Sequence, residues 1–200
     1  MSEPLGLNKD EIRALKKEST RRNDRLEGGR TWRVLDFLVY LLAVVVFAFA
    51  IRAVVVEPVK VKGESMYETL HPGDYMVVEK LTYVFREPKL GDVVIIWYPQ
   101  NKDYTCVKRV IGVEGDHIVI QDGYVTINGE LLDDEEYVYR RAGNHDCDVI
   151  VDEGCVFVLG DNRIVSKDST SLSVGSIPIE NIVGRVRMVL WPFDRIIGFN

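Results

Sequence analysis

Apolar and polar positions follow two different rhythms along this chain, and the change falls near residue 56. Residues 37 to 51 carry no charge, no Gly and no Pro. Taken from Val34 to Val56, this run predicts a helix of roughly 34 Å at about 1.5 Å per residue. That is enough to cross a hydrocarbon layer of about 30 Å. Asp36 and Arg52 would lie near its two faces, where a charge costs less than at the centre. Beyond it the period becomes two, the signature of half-buried strands. "EPVKVKG" alternates, and "DYMVVEKLTYV", "DVVIIWYP" and "YTCVKRVIGV" are rich in β-branched and aromatic residues between Gly, Pro and Asp. "HIVIQDGYVTINGELL" holds two hairpin signals, Asp122-Gly123 and Asn128-Gly129. "CVFVLGD" and "NIVGRVRMVLWP" complete the set. Residues 57–200 therefore read as mainly β, with antiparallel sheets in a barrel-like or sandwich arrangement. The acidic, hairpin-rich stretch from about 117 to 154 reads as an insertion into the main sheet.

Residues 8–27 are polar and helix-compatible, with a thin apolar stripe and Asn8 or Asp10 as caps. They read as a solvated tail. Three parts are expected: a tail over 1–33, a transmembrane anchor over 34–56 and a β domain over 57–200.

Charge sharpens this division. The net charge of −6 argues against a nucleic-acid surface. Residues 1–33 hold nine Lys/Arg against six Asp/Glu, whereas residues 57–200 hold fifteen against twenty-four. The basic flank is N-terminal, so the positive-inside rule places the tail in the cytoplasm and the β domain outside. Two other readings of the apolar run stay open, a cleaved signal ending at "AFA" (48–50) and a buried helix of a soluble protein. Three cysteines lie on the expected outer side. Cys147 and Cys155 bracket "CDVIVDEGC" and could close a small disulfide, leaving Cys106 free; three reduced thiols are the alternative. No CxxC or His/Cys cluster suggests a metal.

One short stretch poses a chemical question. In "GESMYETL" a serine, Ser65, follows closely on the apolar run. A serine hydroxyl needs a partner to take its proton before it can attack. His71, His117 and His145 are available, but each also reads as a solvated turn or loop residue. Lysine is the other choice, provided burial lowers its pKa from about 10.4. Lys108 lies between Val107 and Arg109 in an apolar strand, with Cys106 on its own face and Arg109 on the opposite one. Arg109 stays protonated and cannot serve. Equally, Lys108 reads as an ordinary strand lysine on a wet face.

Several motifs in fixed order add to this. "VKVKGESMYETLHPGD", "GDVVI", "YTCVKRVIGVEGD" and "LGDNRIVSKDS" resemble the successive boxes of bacterial type I signal peptidases. "WPFDRIIGFN" is similar to the C-terminal end of their single-anchor, Gram-positive type. The resemblance covers the anchor and nearly all of residues 57–200. It implies Ser65, followed by Met66, as nucleophile and Lys108 as general base. Gly63 stands where some members carry a hydroxyl for the oxyanion hole, so backbone N–H groups near Ser65 must take that task. Ser166 matches a hydroxyl that orients the lysine. Asp161, Arg163 and Asp168 match supporting residues, and Arg109 is expected to pair with an acid such as Asp161. Three positions depart from the family: Glu68 where Pro is usual, Ile164-Val165 where the pair is polar, and Thr170 where an Arg would partner Asp168.

The resemblance implies a membrane-anchored serine endopeptidase that removes signal peptides by acyl-enzyme chemistry, cutting after small residues. Its partners would be the signal peptides of secretory pre-proteins, membrane lipid and the secretion translocon, with no cofactor. A catalytically impaired paralogue, a self-cleaving repressor-type protease and a non-catalytic β binding domain on an anchor are the alternatives.

Overall fold

The computed structural model describes residues 9–98, 101–141 and 146–199. The chain divides into two units, Met1–Ile51 and Arg52–Asn200. The first is helical: helix α1 runs Lys9–Val55, 47 residues, with Asp10 and Glu11 in its first turn, where acids suit the positive end of the helix dipole. The backbone is one unbroken helix through residue 33, where the sequence suggests a boundary. Within it, Trp32–Phe49 has a mean hydropathy of 2.1, and by length and composition could cross a membrane. From Phe37 to Phe49 no charged residue interrupts it, as a membrane span requires.

The second unit holds β1 (Val56–Lys60), β2 (Tyr75–Glu79), β3 (Val93–Tyr98), β4 (Asn101–Val113), β5 (His117–Gln121), β6 (Tyr124–Ile127), β7 (Glu130–Leu131), β8 (Cys147–Ile150), β9 (Cys155–Leu159), β10 (Ile177–Pro178) and β11 (Ile182–Trp191). Seven form one sheet in the order β1-β2-β11-β3-β4-β9-β10, and four form a second in the order β7-β6-β5-β8. Every strand pair is antiparallel. The second sheet falls within the stretch that reads as an insertion. Its Asp122-Gly123 and Asn128-Gly129 turns take φ of 51° and 80°, and 54° and 86°, the left-handed pair that a tight hairpin needs.

The larger sheet is buried on both faces. On β3, Val93 and Ile95 join one core cluster while Val94 and Ile96 join another. This explains why "VVIIWY" is a continuous apolar run rather than an alternating one. A third cluster joins Ile111, Phe157 and Leu159 of the large sheet to Ile118, Ile120 and Val125 of the small one. Gly112 permits this approach, since a Cβ there would meet the Ile118 side chain at 2.7 Å. Register shifts interrupt β11 against both neighbours and β4 against both of its own. Such bulges increase local twist and roll a sheet up.

The suggested Cys147–Cys155 disulfide is not formed, and all three thiols are free. Cys147 opens β8 opposite Ile120. From there about 10 Å of strand, at about 3.3 Å per residue, leads to Ile150. Cys155 then donates its N–H to Asp152 O in a turn just beyond. Both side chains pack at the margin of the third core cluster as separate thiols.

Candidate active site

Ser65 lies in the loop between β1 and β2. Val61 donates its N–H to Asp74 O (2.8 Å) and Gly73 donates to Val61 O (2.9 Å), closing the base of that loop. Within it, Tyr67 N donates to Glu64 O and Leu70 N to Met66 O, so the chain turns sharply just after the serine. Met66 and Leu70 are buried in the first core cluster. Ser65 is therefore a half-buried residue on a turn pinned from below by its own neighbours.

A second segment grips this turn from the side. Asn162, at the end of β9, donates its backbone N–H to Ser65 O (3.0 Å) and its side-chain Nδ2 to Glu64 O (3.2 Å). Gly160 packs against the same spot. A Cβ added there would strike both Ser65 O and the Oγ and Cβ of Ser166. The Ser65 main chain and the Ser166 hydroxyl thus meet over one glycine.

Lys108 reaches that hydroxyl from β4, with Nζ 2.9 Å from Ser166 Oγ. Only 1% of Lys108 is exposed. Burial holds its pKa below the ordinary lysine value, against the nearby Cys106, Asp168 and Asp161, which favour the ammonium. The wet-face reading of Lys108 is therefore wrong, because both faces of β4 are covered here. On the other face, Arg109 makes a two-pronged ion pair with Asp161, Nε to Oδ1 at 2.9 Å and Nη2 to Oδ2 at 2.7 Å. Thr69 donates its hydroxyl to Asp161 Oδ2 (2.5 Å), and the Tyr137 ring lies under the guanidinium at 3.9 Å.

Asp168 is buried and accepts from Gly160 N (3.1 Å). Its other oxygen accepts from Thr170 Oγ1 at 2.8 Å and Thr170 N at 3.3 Å. Thr170 thus satisfies the carboxylate where the family's pattern has an arginine. Arg163 is buried with Asp134 as its ion partner. Ile164 and Val165 are exposed, and so is Glu68. Gly63 is exposed, with nothing within 4 Å of where a Cβ would stand.

The histidines are elsewhere. His71 stacks on Tyr67, ring centroids 4.4 Å apart. His117, on the small sheet, has Nε2 2.6 Å from Asp148 Oδ1. His145 lies outside the described residues. Among the described residues, no group of three His, Cys, Asp or Glu is placed to hold a metal.

A cavity of about 790 Å³ opens above Ser65. Its walls are β1 with residues 61–63, Ser65 and Met66 on one side and residues 103–107 of β4 on the other. Val61, Met66, Ile95 and Val107 give it an apolar floor. β1 and β4 stand four places apart in the sheet order, so the rolled sheet brings its edge and the first half of β4 to face one gap. That half of β4 pairs with β3 alone, since its pairing with β9 begins at Arg109.

Gly160, Asn162, Thr69, Asp134 and Tyr137 carry no distinguishing signal on their own in the sequence. Gly160 and Asn162 do fall inside "LGDNR", so the motif marked their place without their task.

A family model described as signal peptidase, peptidase S26, matches residues 34–191. The chain is 34% identical to signal peptidase I of Bacillus caldolyticus over 181 residues, 84% of this chain and 93% of that protein. It is 36% identical to thylakoidal processing peptidase 1 of the Arabidopsis thaliana chloroplast over 155 residues, 72% of this chain and 45% of that protein. It thus spans less than half the length of the thylakoidal relatives it matches. A crystal structure of a signal peptidase I from Enterococcus faecalis aligns with 50% of this chain and 97% of that one, at 27% identity and a TM-score of 0.44. By the family match and its bacterial relatives, this chain belongs to the signal peptidases of peptidase family S26.

Proposed function

We propose that the chain is a membrane-anchored serine endopeptidase that removes signal peptides from secreted pre-proteins, with Ser65 as nucleophile and Lys108 as general base. The observation that carries this is the placement of Lys108. It is a buried lysine whose amine donates to Ser166 Oγ, and Ser166 shares Gly160 with the Ser65 main chain. A desolvated amine is a competent base near neutral pH, which a solvated ammonium is not.

The chemistry runs in two halves. Lys108 Nζ takes the proton of Ser65 Oγ as that oxygen attacks the peptide carbonyl carbon. The C–N bond then breaks, and the leaving amine takes the proton back from the lysine. Water attacks the resulting ester with Lys108 again accepting a proton, which returns to Ser65 Oγ as the acid departs. Among the described residues no acceptor takes the Ser65 N–H, so it is left to face the carbonyl oxygen as charge develops there.

The substrate would lie extended in the gap between β1 and the first half of β4. Strand edges there offer main-chain hydrogen bonds without reading sequence. Selection then falls to the apolar floor beside Ser65, which suits a small residue before the cut. Residues 34–56, which hold most of the apolar window, serve as anchor, with residues 1–33 in the cytoplasm and the β unit outside the plasma membrane. Sharing the bilayer with its substrate raises the effective concentration of one at the other. Membrane lipid and the secretion translocon are the expected neighbours.

The test is incubation of the detergent-solubilised chain with a purified pre-protein, and mass measurement of the products. A single cut after a small residue at the end of the signal peptide supports the proposal. An intact pre-protein rejects it.

A further inference from the structure

Residues 132–141, which follow β7, leave the small sheet and reach the residues that hold Ser65. Asp134 opens a turn there, accepting on its carbonyl from Tyr137 N (3.3 Å) and Val138 N (3.0 Å). Its side chain is fully buried and takes two guanidiniums, Arg163 Nη2 at 3.0 Å and Arg141 Nη1 at 2.5 Å. Arg163 is the largest fully buried side chain among the described residues, and its Nε and Nη1 have no partner. Asp134 is the one carboxylate within ion-pair reach of it among those residues. A buried guanidinium cannot shed its proton, so its charge is tolerated only while that carboxylate stands.

The same segment touches each residue of the adjoining tripeptide. Tyr139 N donates to Asp161 O (3.1 Å), and Arg140 bridges to Asn162 in parallel register. Asp134 takes Arg163, and Tyr137 lies under the Arg109 that Asp161 holds. The segment is itself seated on the small sheet. Leu132 N donates to Val125 O, and Gly123 packs so closely on Arg141 O that no Cβ would fit. Asn162 stands between Asp161 and Arg163 and is the residue that binds the Glu64 and Ser65 carbonyls.

We propose that Asp134 is a positioning residue for Ser65, acting through the Arg163 guanidinium and thence through Asn162. This rests on the reading of Ser65 as nucleophile given above. It ties the small sheet to the serine turn, because Asp134 stands just beyond the edge strand β7. Loss of Asp134 leaves Arg163 charged and unpaired. Without the ion pair nothing sets the direction of residue 163, and Asn162 beside it is released from the two carbonyls. Ser65 Oγ shifts relative to Lys108, while the cavity between β1 and β4, which neither Asp134 nor Arg163 lines, keeps its shape.

The test compares wild type, Asp134→Asn and the double variant Asp134→Leu/Arg163→Met on one purified pre-protein, with thermal melts of each. Cleavage by wild type is the control for the function itself, so a failure there is distinct from a failure here. Asp134→Asn should lower kcat about 10²-fold, the scale of a misplacement near 1 Å, with KM within about twofold. The double variant removes the fully buried pair and leaves only the part-exposed Arg141 without its carboxylate, so it should melt near wild type, yet its kcat should stay low. Recovery of wild-type kcat in the double variant would make the pair a stability device only and overturn the proposal. So would a loss confined to KM, or a double variant that does not fold.

Discussion

Lys108 Nζ and Ser166 Oγ lie 2.9 Å apart although the two residues are 58 positions apart in the chain. Lysine side chains rotate freely in water, and four carbons of stem give the amine a wide reach. Here burial removes solvent and Ser166 supplies a fixed acceptor, so Nζ has one direction. The same serine packs on Gly160 against the Ser65 carbonyl. Orientation of the proposed base and placement of the proposed nucleophile thus meet at one glycine.

Protonation of Lys108 should set the acid limb of activity. Its neutral form is the active one, and burial lowers its pKa, so the rate of pre-protein cleavage should rise with pH through a value below that of a free lysine. Asp168 favours the ammonium. Asp168→Asn should therefore move the limb to lower pH, whereas His71→Gln and His117→Gln should leave it in place. A limb that follows either histidine contradicts the assignment of the base.

Gly160→Ala should damage catalysis more than folding. The new methyl must displace Ser166 or the Ser65 carbonyl. Overpacking of this kind costs about 1–3 kcal/mol, while kcat should fall about 10²-fold as the base and nucleophile part. Denaturant unfolding together with steady-state cleavage separates the two, and an alanine variant with unaltered kcat would show that the site tolerates the shift.

Thr170 has taken over the Asp168 carboxylate. Thr170→Ala removes the 2.8 Å hydroxyl bond to Oδ1 and should cost about 1 kcal/mol, since a buried acceptor keeps only the longer 3.3 Å bond from Thr170 N. Thr170→Ser should restore most of that loss. The midpoint of urea unfolding for the three proteins measures it.

Gly63→Ser should fold as wild type, because nothing stands within 4 Å of the added Cβ. The hydroxyl would stand two residues before Ser65 as an extra donor, and one such donor is worth about 10²–10³ in rate where it is well aligned. We expect kcat to rise, by less than that full amount. A fall in kcat would mean that a side chain at 63 obstructs the substrate.

The parts of this structure that were legible in the sequence are those written in local pattern. The strands show as apolar alternation, and Asp122-Gly123 and Asn128-Gly129 mark the hairpins by the left-handed φ that only such pairs adopt readily. Ser65 and Lys108 stood out because boxes in a fixed order enclosed them. Asn162 did not, because its task depends on meeting Glu64 across 98 positions of chain. Asp134 sits in "LLDDEEY", where an acidic run looks like any solvated loop, and only the approach of Arg163 buries it. Alternation also misled at Lys108, since a sheet covered on both faces has no wet side. The cysteine spacing suggested a bridge that the structure does not contain.

The most direct measurement is the rate of pre-protein cleavage by wild type, Ser65→Ala and Lys108→Ala, each shown to be folded, in the same detergent. Wild type should cut after a small residue, and both variants should fall by about 10³-fold or more, since neither nucleophile nor base has a substitute nearby. Cleavage at the wild-type rate by either folded variant would place the chemistry on other residues.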